Sequence, residues 1–221
     1  MTDIIFRKII EKIQPSNLIK IISVTGNVCS GKTYFSRELV EYLQSIGKYP
    51  ILWHSDMYFR STRYEREKVR KLIEENGWRK EYETILEIDK ELQAKHLASL
   101  KRGENVLFLN AYNHNTGLTD LLAKADFTGV NIPDAYVIHE GTQTIHPEIR
   151  PLLDLVVFLF VDYEIRKKRF CERTQRDLNV EEAEERFNFR NALREPYFNA
   201  YLLPSDVRIN NNDFRNRKIM N

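Results

Sequence analysis

Apolar and β-branched residues gather in six short runs along the chain. Such runs are typical of strands, and the most continuous of them are typical of strands buried in a parallel sheet. The predicted strands are residues 19–25, 51–54, 106–109, 135–139, 155–161 and 206–210. Between them, apolar residues recur at helical spacing. The pattern therefore predicts an α/β fold with a mostly parallel sheet.

The stretches with helical spacing are amphipathic to different degrees. The helix predicted at 34–46 has an apolar face made of Phe35, Leu39, Leu43 and Ile46. The second half of segment 62–102, residues 82–100, is predicted to turn Ile85, Ile88, Leu92 and Leu97 inward. Further helices are predicted at 1–15, 163–176 and 180–203.

The first half of segment 62–102 is highly charged and is broken near Asn76 and Gly77. Charged residues at helical spacing usually form a solvated face. The residues assigned to that face are Arg63, Glu65, Arg66, Glu67, Arg70, Lys71, Glu74 and Glu75.

An eight-residue segment between the first strand and the next helix has the composition of a phosphate-binding loop. Its glycines let successive backbone N–H groups converge on an anion, and the N-terminus of the following helix adds positive potential. Lys32 would reach the β- and γ-phosphates, and Thr33 would place its hydroxyl on Mg²⁺. This context predicts a three-layer P-loop NTPase fold. The predicted nucleotide-binding residues are Gly26, Asn27, Cys29, Ser30, Gly31, Lys32 and Thr33.

Composition adds few constraints. The 221 residues are 42% hydrophobic and 30% charged, as in an ordinary globular protein, and one domain spanning 1–221 is expected. The formal charge of +2 does not favour nucleic acid or a membrane surface as a partner. Two cysteines give no disulfide framework or metal spacing, which fits a cytoplasmic location. Residues 211–221 are polar and are predicted to form a flexible tail.

Two acidic residues follow predicted strands: Asp56 follows the second and Glu140 the fourth. Ligands of open α/β sheets bind beyond the carboxyl ends of the strands, so both residues should lie near the phosphates. Asp56 can accept a proton from an attacking hydroxyl and can bind metal, or it can simply cap the next helix. Glu140 stands where a nucleoside triphosphatase has a metal-water ligand.

Three arginines, Arg166, Arg169 and Arg173, are spaced to share one face of the helix at 163–176. Arginine forks match phosphate oxygens and can stabilise the charge of a transferring phosphoryl group. The alternative is a solvated basic face. A phosphate-binding loop elsewhere in the chain favours an arginine-rich helical lid at 162–178.

Two segments and one histidine have weaker signals. Residues 110–115 are rich in polar and aromatic side chains and can form either a substrate wall or a turn. Asp126 and Gly129 have the D-x-x-G spacing of a GTPase switch, but no strong strand leads into them and no guanine-reading Asn-Lys-x-Asp segment occurs. His139 is expected to be a strand histidine rather than a catalyst.

Several of these segments match motifs of one family in the same order, so that the chain from about 19 to 210 resembles the uridine kinase and phosphoribulokinase group of P-loop kinases. The segment 55–60 is similar to the family's Asp-x-Phe-Tyr segment. The other similar segments are the loop at 26–33, the Val-x-Glu-Gly strand at 137–141 with the stretch at 150–154, the lid from 160 to 177, and the ending from 195 to 207.

The resemblance implies ATP and Mg²⁺ as cofactors and a role for each matched residue. Asp56 would be the base and also a metal ligand, and Lys32 would be a second catalytic residue. Thr33 and Glu140 would bind Mg²⁺, and Arg169 and Arg173 would be lid arginines. The acceptor side would be formed by Phe59, Tyr112 and His114.

The expected activity is transfer of the γ-phosphoryl group of ATP to a hydroxyl of a small molecule, in the first place a nucleoside such as uridine or cytidine. Residues 77–82 lack the family's sugar-contacting His-Pro segment, Tyr112 and His114 are closer in sequence than in the family, and no glycine-arginine pair follows the lid. Two alternatives therefore stay open: a non-nucleoside metabolite resembling pantothenate or a sugar phosphate, or a nucleotide-binding switch without acceptor. A homo-oligomer is also left open.

Overall fold

The structure is a computed structural model that describes residues 2–77, 88–175, 178–202 and 205–220. The helices are α1 (Thr2–Ile10), α2 (Lys32–Ser45), α3 (Arg63–Asn76), α4 (Lys90–Lys101), α5 (Tyr163–Thr174) and α6 (Val180–Leu202). The strands are β1 (Lys20–Gly26), β2 (Tyr49–His54), β3 (Val106–Ala111), β4 (Leu121–Ala125), β5 (Ala135–Glu140), β6 (Leu155–Phe160), β7 (Val207–Asn210) and β8 (Lys218–Met220).

The main sheet has six strands in the order β2-β5-β1-β6-β7-β8. The first five are parallel to their neighbours, and β8 is antiparallel to β7. β3 and β4 form a separate antiparallel pair. The predicted α/β fold with a mostly parallel sheet is confirmed, and all six predicted strands are present. β5 lies between β2 and β1 and is parallel to both, so the carboxyl ends of these three strands lie at one edge of the sheet.

Alternate residues of β1 enter apolar cores on opposite faces of the sheet. Ile21 packs in a core that includes α4 and the β3–β4 pair. Ile22 packs in the other core, which includes Phe35 and Leu39 of α2 and residues of α1. Because strand side chains alternate between faces, a central strand covered on both sides must be apolar throughout. This arrangement gives the predicted three layers.

Some helix details differ from the sequence prediction. Ile46 lies just beyond the end of α2 and is 44% exposed, so it is not part of the apolar face. The helix predicted at 82–100 begins at Lys90, because Asp89 caps it by accepting a hydrogen bond from the Leu92 N–H. Ile88 precedes this helix and is bridged to Phe59. Residues 78–87 lie outside the described part of the chain.

The C-terminal segment is not the flexible tail that its polar composition predicts. Residues 218–220 form β8, paired with β7 at the edge of the main sheet. Asn211 and Arg217 are buried, and their polar atoms are hydrogen-bonded to each other. Asn211 also donates to the Ser30 carbonyl and Arg217 is ion-paired with Glu38, so these buried polar groups have partners on other elements as well. β4 was also not predicted; it leads into Asp126, whose carboxylate is ion-paired with Lys124.

None of the described helices is long and apolar enough to cross a membrane.

Candidate active site

The phosphate-binding loop connects β1 to α2. Its backbone angle φ is +61° at Cys29 and +85° at Gly31. Left-handed residues in such loops turn backbone N–H groups toward a common point, where an anion binds. A Cβ at Gly31 would lie 2.8 Å from atoms of both Asn211 and Phe214, so only glycine fits there. All seven predicted nucleotide-binding residues lie in this loop or in the first turn of α2.

The Lys32 side chain folds back over the loop. Its Nζ donates hydrogen bonds to the carbonyl oxygens of Gly26, at 3.0 Å, and Asn27, at 3.1 Å. The ammonium is thus held beside the loop backbone, where it can contact a bound phosphate. Burial raises the pKa of the nearby Cys29 thiol above its ordinary value, although the charges of Arg173 and Lys32 oppose this. The thiol is therefore protonated at neutral pH and does not repel phosphate.

Thr33 and Glu140 meet at the edge of the sheet, as predicted from their positions. Thr33 Oγ1 donates a hydrogen bond of 3.2 Å to Glu140 Oε1. His54 Nδ1 lies 2.6 Å from the same oxygen, because His54 and Glu140 are register partners in β2 and β5. Burial acts to raise the pKa of the Glu140 carboxyl, but the hydrogen bond from His54 and the charges of His54 and Lys32 outweigh it and hold the pKa below its usual range.

The chemistry of this pair fits a magnesium ion that arrives with a nucleotide. Hydroxyl and carboxylate oxygens are the hard ligands that Mg²⁺ prefers, and Mg²⁺ is usually bound through one or two protein groups plus phosphate oxygens and waters. Within the described ranges, no group of three or more His, Cys, Asp or Glu side chains could hold a metal. Thr33 and Glu140 therefore suit a site completed by phosphate, and His54 is an orienting residue that the sequence analysis missed.

Asp56 lies in a single 3-10 turn, Ser55–Tyr58, directly after β2. The turn packs tightly on the end of β5: a Cβ placed on Gly141 would come within 1.7 Å of Ser55 Oγ. The Asp56 side chain is 38% exposed, and its Oδ2 lies 4.0 Å from His114 Nδ1. The capping alternative is wrong for α3, which is capped by Thr62. The Asp56 carboxylate is therefore accessible at the same edge of the sheet as Glu140.

The three residues predicted on the acceptor side are brought together beside Asp56. The rings of Phe59 and Tyr112 meet edge to face with centroids 5.4 Å apart, and the Tyr112 and His114 rings are 6.4 Å apart. The Tyr112 N–H donates a hydrogen bond to the Met57 carbonyl, which fixes the end of β3 against the Asp56 turn. Residues 110–115 thus form a wall of the candidate site as well as a turn.

Arg66 joins this group, contrary to its predicted place on a solvated face. Its guanidinium carbon lies 4.2 Å from the ring centroids of both Phe59 and Tyr112. Glu67 is half-buried too and is ion-paired with Arg186 of α6. Helical periodicity alone cannot reveal these contacts, because they depend on the distant β3 segment and on α6 packing against α3.

Arg166 does not share the role predicted for the arginine face. It is buried, its Nε donates a hydrogen bond to the Val161 carbonyl at 3.0 Å, and its Nη1 donates to Asn191 Oδ1 at 2.8 Å. An arginine committed to backbone and side-chain acceptors inside the protein cannot bind phosphate. Arg166 therefore connects α5 to α6. Arg176 and Asp177, at the end of the predicted lid, lie outside the described residues.

Arg169 and Arg173 do lie beside the phosphate-binding loop. Arg169 donates hydrogen bonds to the carbonyls of Cys29, at 3.4 Å, and Asn212, at 2.7 Å. Arg173 lines a cleft of about 550 Å³ together with Lys32 and Thr33. The structure therefore brings two of the three predicted arginines to the loop.

The C-terminal segment contributes groups to this cleft that the sequence analysis missed. Asn211 Nδ2 donates a hydrogen bond of 2.7 Å to the Ser30 carbonyl, within the phosphate-binding loop. Asn211 Oδ1 accepts one of 2.7 Å from Arg217 Nε, and Arg217 Nη1 lies 2.5 Å from Glu38 of α2. The loop is thus tied to both the C-terminal segment and α2. No pattern in the polar sequence 210–217 indicates this.

Phe214 supplies an aromatic side wall to the same cleft. Its ring lies 4.2 Å from the Arg169 guanidinium carbon and 5.3 Å from the Tyr34 ring, centroid to centroid. Tyr34 and Phe214 remain partly exposed, at 53% and 37%. Exposed aromatic rings beside a phosphate site offer a flat apolar surface of the kind that stacks on a nucleobase.

His139 has the structural role predicted for it. Its Nδ1 lies 3.0 Å from the Trp53 carbonyl, and its Nε2 lies 2.8 Å from Gln93 Nε2. These partners require a neutral ring that donates from Nδ1 and accepts at Nε2. Complete burial lowers its pKa to about 4, which keeps it neutral.

Comparison with known proteins identifies the family to which this site belongs. The model of the phosphoribulokinase / uridine kinase family matches residues 21–208. The chain belongs to this family. A uridine kinase of Shewanella amazonensis is 28% identical over 162 residues, which cover 72% of this chain and 68% of that protein.

Solved structures share the fold of this family member at low sequence identity. A candidate fructose transport system kinase from Silicibacter sp. TM1040 has a TM-score of 0.67 and 17% identity, covering 88% of this chain and 94% of that one. The D-glycerate 3-kinase of Cryptococcus neoformans has a TM-score of 0.58 and 14% identity, covering 88% and 87%. At these identities the likeness describes the fold alone.

Proposed function

We propose that the protein is an ATP-dependent kinase that transfers the γ-phosphoryl group to a hydroxyl of a small molecule. The observation that carries the proposal is the meeting of three groups at one sheet edge. The phosphate-binding loop with Lys32 ends at Thr33, Thr33 is hydrogen-bonded to Glu140, and the turn bearing Asp56 packs against the residue after Glu140. Membership of a kinase family supports the same reaction class.

Each group has one task in this reaction. The loop N–H groups and the Lys32 ammonium bind the phosphates, and Thr33 and Glu140 hold Mg²⁺ with the nucleotide. Mg²⁺, when bound, neutralises charge on the β- and γ-phosphate oxygens. His54 keeps the Glu140 carboxylate ionised and oriented through its 2.6 Å contact. Tyr34 and Phe214 give the base of ATP a surface to stack on.

Asp56 accepts the proton of the acceptor hydroxyl. Its side chain is 38% exposed and makes no hydrogen bond to any described residue, which leaves it available to the acceptor. Arg173 faces the cleft from α5 and stabilises the transferring group, while Arg169 holds α5 on the loop. Closure of this part of the chain as a lid would exclude water, because hydrolysis competes with transfer whenever water reaches the γ-phosphate.

Two acceptor classes remain. A nucleoside such as uridine or cytidine is supported by the curated relatives, which are uridine kinases. A non-nucleoside metabolite resembling pantothenate or a sugar phosphate is supported by Arg66. Its positive charge lies against the Phe59 and Tyr112 rings, where it can bind the anionic group of such a metabolite.

The experiment is ADP release by the purified protein with Mg-ATP, in the presence of nucleosides, pantothenate, D-glycerate or ribulose 5-phosphate. We expect at least one acceptor to stimulate ADP release and to be phosphorylated in proportion. Slow ADP release that no acceptor changes would contradict the kinase and favour a nucleotide-dependent switch.

A further inference from the structure

Arg66 occupies an unusual place for a residue in the first turn of a charged helix. Its guanidinium stacks on Phe59 and Tyr112 at 4.2 Å from each ring centroid. One of its N–H groups, on Nη1, donates to the Ser61 carbonyl. Stacking on two rings while bonding to backbone fixes the guanidinium in one orientation, since each contact constrains a different part of the fork.

This arginine forms no ion pair with a carboxylate of the described ranges, although its charge acts on the neighbouring, exposed Glu65 carboxylate. Nearby carboxylates have other partners: Glu65 accepts from Thr62, and Glu67 pairs with Arg186. A guanidinium has five N–H donors, and the Ser61 carbonyl takes one of them. A partly buried guanidinium that has rings and a carbonyl as neighbours but no ion-paired carboxylate can still bind an anion, so its presence in a candidate site points to a ligand that supplies one.

Arg66 and Asp56 lie beside different members of the same group of rings. Tyr112 touches Arg66 and is followed by His114, whose Nδ1 lies 4.0 Å from Asp56 Oδ2. A small molecule lying along this wall would present a hydroxyl to Asp56 and another group to Arg66. The geometry therefore separates an end of the acceptor that reacts from an end that is recognised.

The stacked arginine also changes what the aromatic wall can bind. Tyr112 is only 2% exposed, and Arg66 lies over its ring. A nucleobase would have to displace the guanidinium before it could stack there, whereas an anion would use the guanidinium as it stands. Carboxylate and phosphate oxygens both match the arginine fork.

We propose that the phosphoryl acceptor carries an anionic group, a carboxylate or a phosphate, and that Arg66 binds this group. The inference rests on the proposed kinase function and selects the acceptor class within it. Arg66 is then the residue that distinguishes a charged acceptor from a neutral one.

The test compares acceptors in matched pairs that differ only in charge. Each pair joins a charged compound to its neutral counterpart: D-glycerate with glycerol, pantothenate with pantothenyl alcohol, and ribulose 5-phosphate with ribulose, with uridine and cytidine measured beside them. For the wild-type protein we expect kcat/KM to be at least about tenfold higher for the charged member of one pair, as expected of a charge-assisted hydrogen bond. The pair that responds shows whether the anion is a carboxylate or a phosphate.

Variants then assign the preference to Arg66. Arg66→Gln should raise KM for the charged acceptor about 10- to 100-fold more than KM for its neutral counterpart, so that the preference for the charged member of the pair is lost. Arg66→Lys, which keeps the charge but loses the fork, should have an intermediate effect. The control is Lys68→Gln, which removes a positive charge from an exposed position of α3 and should leave both values unchanged. Thermal melting shows whether each variant is folded. If the Arg66 variants do not fold, the comparison of charged and neutral acceptors with the wild-type protein still tests whether the acceptor is anionic.

Two results would contradict an anionic acceptor without contradicting the proposed kinase activity. One is phosphorylation of a nucleoside or other neutral acceptor with kcat/KM equal to or above that of every charged compound. The other is failure of D-glycerate, pantothenate and ribulose 5-phosphate to bind, in calorimetry, to the protein complexed with Mg²⁺ and a non-hydrolysable ATP analogue. If ADP release is also independent of every acceptor, the proposed function fails as well.

Discussion

Thr33 Oγ1 and Glu140 Oε1 are joined by a hydrogen bond of 3.2 Å, which links the end of the phosphate-binding loop to the end of the neighbouring strand β5. The two residues are far apart in sequence and meet because β1 and β5 are parallel neighbours, with Val24 opposite Glu140. In the proposed kinase, these two residues would hold Mg²⁺, which would neutralise phosphate charge.

Glu140→Gln should weaken Mg²⁺ binding at this site without unfolding the protein. Glutamine keeps the size of the side chain and can still accept from Thr33, but it removes the negative charge that attracts Mg²⁺. We expect the Mg²⁺ concentration for half-maximal activity to rise at least about tenfold, as found when groups supporting a metal site are removed. The measurement is a Mg²⁺ titration at fixed ATP, with Glu164→Gln on the exposed face of α5 as control. An unchanged titration curve would exclude Glu140 as a metal ligand.

Asn211→Ala should weaken ATP binding through the loop. It removes the hydrogen bond to the Ser30 carbonyl and the acceptor of Arg217 Nε, leaving both buried groups without partners. The free energy of unfolding should fall by about 1–3 kcal/mol, and Kd for ATP should rise because the loop is less constrained.

Urea unfolding and nucleotide titration together test the role of Asn211. Arg215→Met, an exposed change in the same segment, serves as control. If the variant loses stability but binds ATP as tightly as wild type, the C-terminal segment only supports the fold and does not position the loop.

Gly141→Ala should displace the turn that bears Asp56. The new Cβ would overlap Ser55 Oγ, 1.7 Å away, and Gly141 has a φ of +152° that disfavours alanine. A shift of about 1 Å in a reacting group can cost up to about 100-fold in rate. We expect kcat to fall while Kd for ATP changes little, and adding Ser55→Gly should recover part of the loss. Wild-type kcat in Gly141→Ala would show that the position of Asp56 does not limit the reaction.

Arg166 and Arg173 should respond differently to the same substitution. Arg166→Gln removes buried charge-assisted hydrogen bonds and should lower the free energy of unfolding by about 2–3 kcal/mol. Arg173→Gln should leave stability unchanged and lower kcat by about 100-fold, the effect of removing one donor that stabilises transition-state charge. Each variant serves as the control for the other. Equal loss of kcat in two stable proteins would contradict the structural role given to Arg166.

The fold and the phosphate-binding half of the site were predictable because their signals are local. The loop at 26–33 requires glycines and a lysine at fixed spacing, and Asp56 and Glu140 follow strands that any parallel sheet brings to one edge. His54 could have been found in the same way, since it is the last residue of its strand.

The other contacts could not be predicted because they depend on packing between distant segments. Arg66 has the spacing of a solvated residue, and only the position of Tyr112 turns it into part of a site. Arg217 looks exposed in a polar tail until its ion pair with Glu38 is known. Arg166 could not be separated from Arg169 by sequence spacing, because burial against α6 decides its role.

In the proposed reaction, Asp56 accepts the proton of the acceptor hydroxyl. The most direct measurement compares Asp56→Asn with wild type by steady-state phosphorylation of the best acceptor and by equilibrium binding of Mg-ATP, with Lys32→Ala as the inactive reference. We expect Asp56→Asn to lower kcat by about 10²- to 10⁴-fold, the usual contribution of a general base, and to change Kd for Mg-ATP far less. Wild-type kcat in Asp56→Asn would contradict this role of Asp56.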